Sequence, residues 1–331
     1  MLSATLIGVI AFAYIFEFIN GFHDTANAIA TSVYTRALTA NKAIMLAAVM
    51  NLLGAMASEK VASTISKGLV DVTLEQYVIM AALVAAIVWN LFTWWKGIPS
   101  SSSHALIGGL LGAVIMYTSS MQHVIWSGVL KKVIIPLFTS PLLGLLIGFF
   151  SMKAIYALFR NWMPAKVNNL FLRMQIFSSA LVAFSHGNND AQKTMGIITL
   201  ALVTGGLVNP DDGVPFWVKI TCATTMALGT AAGGWKILKT MGGGVTKLSP
   251  ASGFAAQTTA ALVIELMSFI GAPVSTTQVI TTSIMGAGTA KRAKAVKWGI
   301  ASNIFTAWVV TLPVTMTLGA LCVWIIQLFM G

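Results

Sequence analysis

The stretch Gly21-Phe22-His23-Asp24-Thr25-Ala26-Asn27 decides the fold, because it places polar and charged residues in the middle of an apolar run. A stretch of the same character returns in the second half of the chain as Gly187-Asn188-Asn189-Asp190-Ala191-Gln192-Lys193. A second pair of stretches is rich in hydroxyl groups, at Gly97-Ile98-Pro99-Ser100-Ser101-Ser102-Ser103-His104 and Gly271-Ala272-Pro273-Val274-Ser275-Thr276-Thr277-Gln278. We call the first pair the acidic stretches and the second pair the hydroxyl stretches. Their repetition in the same order predicts a chain made of two related halves.

The composition excludes an ordinary soluble domain. Charged residues make up 9% of the 331-residue chain and hydrophobic residues 57%, whereas soluble domains carry roughly 25% charged residues. Apolar runs long enough to cross a bilayer recur along the whole length, so we predict an all-α, polytopic protein of the cell membrane. Residues 4–19 are predicted to be the first membrane helix and not a cleaved signal peptide. The net charge is +11, and the excess basic residues lie in short loops, where they indicate the orientation in the membrane. No nucleic-acid partner is predicted.

Ten to twelve membrane segments are predicted. The ten apolar segments are 4–35, 43–58, 77–95, 104–118, 133–151, 174–204, 216–233, 252–270, 278–290 and 298–329. The count rises to twelve if 133–151 and 298–329, which hold Pro141 and Pro313, are broken pairs instead of kinked single spans. We expect breaks near 20–25 and 186–190. The domain boundaries follow: a first repeat over 1–151, a cytoplasmic linker over 152–173 that is compatible with an interfacial amphipathic helix, and a second repeat over 174–331.

The basic residues predict the orientation in the membrane. Fourteen of the twenty Lys and Arg residues fall in alternate connections, which should therefore be cytoplasmic. These are Arg36, Lys42, Lys96, Lys153, Arg160, Lys166, Arg173, Lys236, Lys239, Lys247, Lys291, Arg292, Lys294 and Lys297. The pattern places both termini outside the cell and gives each half an odd number of crossings. The two repeats are therefore predicted to have inverted topology, as in many secondary transporters.

The acidic stretches carry carboxylates to membrane depth, where a charge costs several kcal/mol unless it is paired, solvated or protonated. Glycine followed by small polar residues allows a helix to unwind, which frees carbonyl groups for a cation and N–H groups for an anion. The alternative is a polar kink held by hydrogen bonds between helices. Glu17 lies one turn before Gly21 and is a candidate for proton relay. Lys193 either pairs with an acid or faces the substrate.

The hydroxyl stretches predict an anion site. Pro99 and Pro273 suit the first turn of a helix, and the hydroxyl residues that follow bring side-chain donors and free N–H groups to the helix start. The helices that come next are short and rich in small residues, which is typical of re-entrant, hairpin-like elements. The alternative is that these residues only cap a helix.

Together the four stretches resemble the inorganic phosphate transporter (PiT) family, whose duplicated Gly-Ala-Asn-Asp-Val signature is matched by Gly21–Thr25 and Gly187–Ala191. The resemblance covers nearly the whole chain and implies a homodimer. It implies phosphate contacts from the hydroxyl stretches, with Ser101, Ser102, Ser275, Thr276 and Thr277, to which we add Ser103, Gln278 and His104. It implies that the coupling cation is bound or neutralised by Asp24, Asn27, Asn189 and Asp190. Gly21, Gly187, Asn188 and Lys193 are further candidates for the substrate site.

The first acidic stretch departs from the signature at Phe22 and His23. The departure resembles the bacterial, low-affinity branch of the family, in which proton coupling and transport of metal–phosphate complexes occur. A histidine titrates near pH 6.5 and lacks the amide oxygen that suits Na⁺. The expected coupling ion is therefore H⁺ or Na⁺, with Asp24 and Asp190 as Na⁺ ligands in the second case. Mg²⁺ or Ca²⁺ would travel as cargo with phosphate, and no tightly bound cofactor is expected.

Charge balance favours symport. Phosphate brings roughly one to two negative charges to a site that already holds Asp24 and Asp190, and each like-charge pair at about 4 Å repels by about 4 kcal/mol at an effective dielectric constant of about 20. Anion binding thus requires cations or protons. A divalent metal-ion carrier built on His23, Asp24, His186 and Asp190 is the main alternative. An enzyme is not expected, because four serines in a row without a Gly-x-Ser-x-Gly elbow argue against one activated nucleophile. A phosphate channel, which would not accumulate its substrate, also remains open.

Overall fold

Each of the ten predicted apolar segments forms a helix in the computed structural model, which describes residues 3–233, 238 and 243–330. The helices of the first half are α1 (Ala4–Tyr34), α2 (Ala40–Ala55), α3 (Lys60–Lys67), α4 (Gln76–Lys96), α5 (Ser102–Thr118) and α6 (Trp126–Leu158). Those of the second half are α7 (Pro164–Thr204), α8 (Phe216–Ala232), α9 (Pro250–Phe269), α10 (Thr276–Thr289) and α11 (Trp298–Met330). Lys236 and Lys239, both used to predict the orientation, lie outside the described residues.

Fewer helices than predicted qualify as full membrane spans. Within the described ranges, α1, α4, α6, α7 and α11 are long and apolar enough to cross a bilayer, and the pair α2 and α3, bent by 64°, can make a sixth. Helices α5 and α10 have 17 and 14 residues. At a rise of 1.5 Å per residue they reach about 26 and 21 Å, less than the hydrocarbon thickness of about 30 Å. The prediction of ten to twelve segments therefore counted short embedded helices together with spans.

The expected breaks at the acidic stretches are absent: α1 continues through 20–25 and α7 through 186–190. The glycines serve close packing between helices instead of unwinding. A Cβ atom on Gly21 would lie 2.5 Å from the carbonyl oxygen of Met226 in α8, and one on Gly187 would collide with the backbone of Asn51 in α2. The segments that hold Pro141 and Pro313 are likewise single helices, α6 and α11.

The predicted linker over 152–173 is not a separate element. Helix α6 runs to Leu158 and α7 begins at Pro164, so only residues 159–163 connect the two halves. Proline at the first position of α7 fits this start, since its missing N–H would have no helical partner there. The residues for which an interfacial helix was considered form the first part of the 41-residue helix α7.

Helices of one half pack on helices of the other. Helix α1 packs on α8 and α2 on α7, while α5 packs on α11 and α6 on α10. Helices α1 and α7 run antiparallel, because Thr35 at the end of α1 bonds to Gln175 near the start of α7, whereas Glu17 contacts Thr194 nearer its end. Two isolated bridges also recur, Val70 with Val124 in the first half and Thr246 with Val296 in the second.

The polar part of the chain lies at the centre of this bundle. Residues 185–202 of α7, 102–114 of α5 and 276–288 of α10 are all buried, as is almost all of 19–32 in α1. Large apolar side chains instead face outward along α6, with Phe138, Leu142 and Phe150 more than half exposed. Polar residues at the centre and large apolar side chains on the outside are the reverse of a soluble protein's arrangement and suit a bilayer.

Candidate functional site

The hydroxyl stretches end in capped helix starts. Ser101 is the N-cap of α5 and accepts a hydrogen bond from the His104 N–H at 3.2 Å, and Ser275 caps α10 in the same way through the Gln278 N–H at 3.3 Å. Pro99 and Pro273 therefore lie two residues before the cap. The sequence had predicted them in the first helical turn, and this prediction was wrong. Serine side chains make strong N-caps, which sets the starts at Ser102 and Thr276. Both starts face the acidic stretches.

Asp24 receives hydroxyl groups from both halves. Ser102 donates to its Oδ2 at 3.0 Å and Thr277 to its Oδ1 at 3.3 Å. Its neighbour His23 lies 2.6 Å from the same Oδ1 through Nδ1, and the other ring nitrogen is 3.3 Å from the Thr93 hydroxyl. All of these side chains are buried. The carboxylate is thus held by groups from α1, α5 and α10, and α4 holds the His23 ring through Thr93.

Asp190 has an equivalent but more strongly charged environment. The Lys193 ammonium donates to its Oδ1 at 2.7 Å, and Thr276 donates to its Oδ2 at 3.3 Å. His186, one turn earlier on α7, has Nε2 at 3.5 Å from the same Oδ2. The structure therefore gives Lys193 the ion pair that was one of its two predicted roles. Both partners of this pair are fully buried.

Two groups join the halves directly at the centre. The carbonyl oxygen of Val274, just before the α10 cap, accepts from the Ser103 hydroxyl at 2.7 Å and from Lys193 at 3.2 Å. The Asn27 amide donates to Thr277 at 2.8 Å and to Thr276 at 3.4 Å, and its Oδ1 has no partner among the described residues. Asn27 thus lies against the second hydroxyl stretch.

A three-residue cluster could hold a cation. Ligand atoms of Asp24, His186 and Asp190, all buried, lie within 4.8 Å of one another. Two carboxylates and an imidazole suit a proton or a divalent ion such as Mn²⁺ or Zn²⁺ better than Na⁺, which prefers oxygen ligands alone. The Lys193 ammonium at Asp190 opposes a divalent ion at this position. His186 lies one residue before the second acidic stretch and is a predicted ligand of the metal-carrier alternative.

The remaining predicted residues form a surrounding layer. Asn189 donates to Ser268 at 2.8 Å and to the Ala272 carbonyl at 3.2 Å, so it binds the end of α9 and the loop before α10 and not Asp190. Asn188 donates to Glu265 at 3.0 Å, so this glutamate has an amide partner. Glu17 accepts a hydrogen bond from Thr194. Each of these groups has at least one hydrogen-bond partner, although Glu17, Asn189 and Glu265 each keep one side-chain oxygen without a partner among the described residues.

Several candidates touch neither carboxylate. Gly21 and Gly187 are close-packing positions, as described above. The His104 ring leaves Nδ1 without a partner among the described residues, while its carbonyl accepts from Thr315. Gln278 likewise leaves its amide oxygen unpaired. Thr93 and Asn51, which hold the rings of His23 and His186, were missed because they lie in apolar helices without any motif.

A second charged region lies between loops on the predicted outer side. Lys67 donates to Asp211 at 2.9 Å, and this hydrogen bond lowers the pKa of the Asp211 carboxyl below its ordinary value. Lys219 pairs with Glu59, which also accepts from the Val214 N–H at 2.9 Å. These pairs connect α3 and the loop before it with the connection from α7 to α8 and with the first turn of α8. Exposed pairs of this kind contribute little stability, about 0–1 kcal/mol.

A bundle with embedded helix starts that converge on buried charges is a membrane transport protein, and comparison gives its family. The model of the phosphate transporter family matches residues 20–319. The chain belongs to this family, which confirms the resemblance seen in the sequence and the expectation of a transporter instead of an enzyme.

Individual relatives agree with this assignment. The chain is 49% identical to a probable low-affinity inorganic phosphate transporter of Bacillus subtilis (strain 168), over 99% of this chain and 98% of the relative. It is 44% identical to one of Rhizobium meliloti (strain 1021), over 96% and 95%. A solved structure described as the sodium-dependent phosphate transporter superposes with a TM-score of 0.91 at 27% identity, over 98% of this chain and 100% of that chain. The all-helical, polytopic fold class is confirmed.

Proposed function

We propose that this chain imports inorganic phosphate by symport with H⁺ or Na⁺, through alternating access of two inverted repeats in the cell membrane. The observation that carries the proposal is that hydroxyl groups at the starts of α5 and α10 donate to Asp24 and Asp190. Phosphate would bind at these two helix starts, where N–H groups and hydroxyls favour an anion.

The same donors must serve two acceptors. Ser102, Thr276 and Thr277 donate to carboxylates, and each hydroxyl has a single proton to donate. When phosphate takes these protons, Asp24 and Asp190 lose hydrogen bonds that stabilise their negative charge. They then need a proton or a cation, since an unpaired buried charge costs several kcal/mol. Competition for hydroxyl donors thus couples the anion to its co-transported cation.

The charge count points the same way. Glu17, Asp24 and Asp190 bring three carboxylates to the centre, and Lys193 is the only ammonium in contact with any of them among the described residues. Two negative charges remain if the histidines are neutral. Phosphate adds one or two more, and repulsion of about 4 kcal/mol per pair at about 4 Å opposes binding unless cations enter with it.

The inverted repeat is part of the proposal. It is supported by the antiparallel course of α1 and α7 and by the isolated bridge found in each half. It is also supported by the packing, in which α1 lies on α8 of the other half and α2 on α7. The basic residues support a cytoplasmic face at the connection between the halves and termini outside the cell. Domain boundaries then fall at 159–163. A homodimer is proposed from the family resemblance alone.

Different observations support Na⁺ and H⁺ as the coupling ion. The similar solved structure is of a sodium-dependent phosphate transporter. In this chain, however, His23 contacts Asp24 and His186 lies beside Asp190, which favours protons. The cluster of Asp24, His186 and Asp190 also supports the second candidate, a divalent metal-ion carrier, or a metal carried as cargo with phosphate. Only the phosphate proposal accounts for the paired hydroxyl stretches.

Uptake of ³²P-phosphate into proteoliposomes tests the proposal, with an imposed pH gradient, an imposed Na⁺ gradient, or neither. We expect accumulation above equilibrium in one gradient for the wild type and its loss in Asp24→Asn. Lys67→Gln, at the end of α3 on the predicted outer side, is the control and should keep driven uptake. Equilibration without accumulation would indicate a channel. Manganese uptake without any phosphate uptake would establish the metal carrier instead.

A further inference from the structure

Glu17 is a buried carboxyl that forms no ion pair with the described residues. It lies on α1 two turns before Asp24 and is fully buried. One oxygen, Oε2, accepts from the Thr194 hydroxyl, while Oε1 has no hydrogen-bond partner in the described part of the chain. The nearby ammonium of Lys193 is already engaged by Asp190 and the Val274 carbonyl. A carboxylate in this setting needs a proton or another positive charge.

Asn20 supplies a partner suited to both charge states. It lies beside Glu17, three residues further along the same face of α1, and is fully buried. Neither its amide oxygen nor its amide nitrogen has a hydrogen-bond partner among the described residues. A protonated Glu17 can donate from Oε1 to the Asn20 oxygen. After the proton leaves, rotation of the amide by half a turn presents its N–H to the carboxylate.

The charged and titratable groups around Glu17 tie it to the central site. Helix α7 contributes Asp190 and Lys193, and α8 contributes the buried thiol of Cys222. On α1 itself, Tyr14 donates to Thr221 and His23 is held by Asp24. The other helices against α1 keep such side chains elsewhere: Lys42 on α2, Tyr77 and Lys96 on α4, and Glu265, bound by Asn188, on α9. Helix α10 has none.

We propose that the Glu17 carboxyl, with Asn20 as its switching partner, carries the coupling proton of transport at a position separate from the phosphate site. This rests on the proposed phosphate symport. Two helical turns place Glu17 about 10 Å from Asp24 along α1. Across about 10 Å at an effective dielectric constant of about 20, an added phosphate charge raises proton affinity on the order of tenfold. Phosphate binding therefore draws a proton onto Glu17, and proton release inside the cell weakens phosphate binding.

The second half has no such carboxyl at the corresponding position. When the two acidic stretches are aligned, Gly21 with Gly187, Glu17 falls opposite Ala183 and Asn20 opposite His186. The duplicated elements proposed to surround phosphate are thus shared by both halves, whereas the proposed proton carrier belongs to the first half alone. One carboxyl predicts one proton per cycle at this position.

The experiment separates exchange from driven transport in proteoliposomes. Exchange of internal for external phosphate at equal pH needs no net proton movement, whereas accumulation in a pH gradient does. We expect Glu17→Gln to retain exchange, at no less than about a tenth of the wild-type rate, and to lose accumulation. Glu265→Gln is the matched control, since Glu265 is also a carboxyl within a helix of the bundle with one oxygen unpartnered among the described residues. It should keep both activities.

The outcomes are distinct. Accumulation by Glu17→Gln in a pH gradient at the wild-type level would overturn the inference, as would loss of exchange in variant protein that is folded. Accumulation by the wild type in a Na⁺ gradient only would also overturn it. A wild type that neither exchanges nor accumulates phosphate would instead refute the proposed function itself.

A spectroscopic test on the wild type does not depend on the folding of Glu17→Gln. Infrared difference spectra should show a protonated carboxyl band that appears on phosphate addition. We expect Glu17→Asp, which keeps a carboxyl group at this position, to shift this band. A band that is absent in the wild type, or unmoved in Glu17→Asp, would contradict the assignment.

Discussion

At the scale of the residue, shared hydrogen-bond donors are the basis of the proposed coupling. Thr277 shows this most clearly: its hydroxyl donates to Asp24 and accepts from Asn27, so one oxygen joins α10 to two polar groups of α1. Thr276 has the same relation to Asp190. Each hydroxyl is buried, so it cannot exchange its partner for bulk water. A change of ligand must therefore change the charge state of a carboxylate.

Thr277→Val tests this donor. Valine keeps the shape of threonine but removes a hydrogen bond to a charged group, which is worth about 1.5–3 kcal/mol. We expect the phosphate concentration for half-maximal uptake to rise by about ten- to a hundredfold. Thr282→Val, later on α10, is the control, because among the described residues that hydroxyl bonds only to backbone carbonyls of its own helix. An equal effect in both variants would refute a specific role.

The ion pair of Asp190 and Lys193 predicts a different pattern. Both side chains are fully buried, and removal of one partner leaves an uncompensated charge that costs about 3–5 kcal/mol. Lys193→Gln should therefore lower the unfolding temperature in detergent strongly, and Asp190→Asn should lower it as well. The double variant should recover much of the loss, since no unpaired charge is left. Additive losses would show that the two residues do not act as a pair.

At the scale of the element, the acidic stretches lie on continuous helices that touch across halves. Gly21 packs against the backbone of α8, and Gly187 against that of α2. Local sequence could not reveal this, because glycine beside polar residues is equally compatible with an unwound helix. The deciding contact of Gly21 is with Met226, which belongs to the other half of the chain. Polar side chains of 20–27, among them Asp24 and Asn27, form hydrogen bonds with other helices, and the backbone of α1 remains helical through this stretch.

Gly21→Ala is predicted to disrupt this packing. Its Cβ would lie 2.5 Å from the Met226 carbonyl oxygen and 3.0 Å from the Thr230 nitrogen, both of them backbone atoms that cannot turn aside. We expect loss of the folded fraction in size-exclusion chromatography, or a strongly reduced unfolding temperature. Gly8→Ala on the same helix has the Met80 sulfur at 3.9 Å as its nearest neighbour among the described residues and should be neutral or stabilising. A folded and stable Gly21→Ala would contradict the packing.

At the scale of the whole molecule, the sequence predicted the class of fold and the two kinds of polar stretch that meet at the centre. Apolar runs and duplication suffice for that, since both are visible in one chain. The pairing of Lys193 with an acid was one of two alternatives, and the position of the His186 ring beside Asp190 did not follow from the sequence. Such choices depend on which face of a helix meets which neighbour. The contact between helix faces is set by packing between the two halves of the chain and not by the spacing of residues within one half.

The central claim is that phosphate binding and cation uptake are one linked event. Calorimetric titration of the purified protein with phosphate, at several pH values and Na⁺ concentrations, tests it most directly. Heats compared between buffers of different ionisation enthalpy count the protons taken up. If one cation is taken up with each phosphate, we predict that the affinity for phosphate rises about tenfold for each tenfold rise in the concentration of H⁺ or Na⁺. Each further cation taken up adds another factor of about ten. An affinity that follows only the ionisation of phosphate itself and ignores Na⁺ would contradict the account.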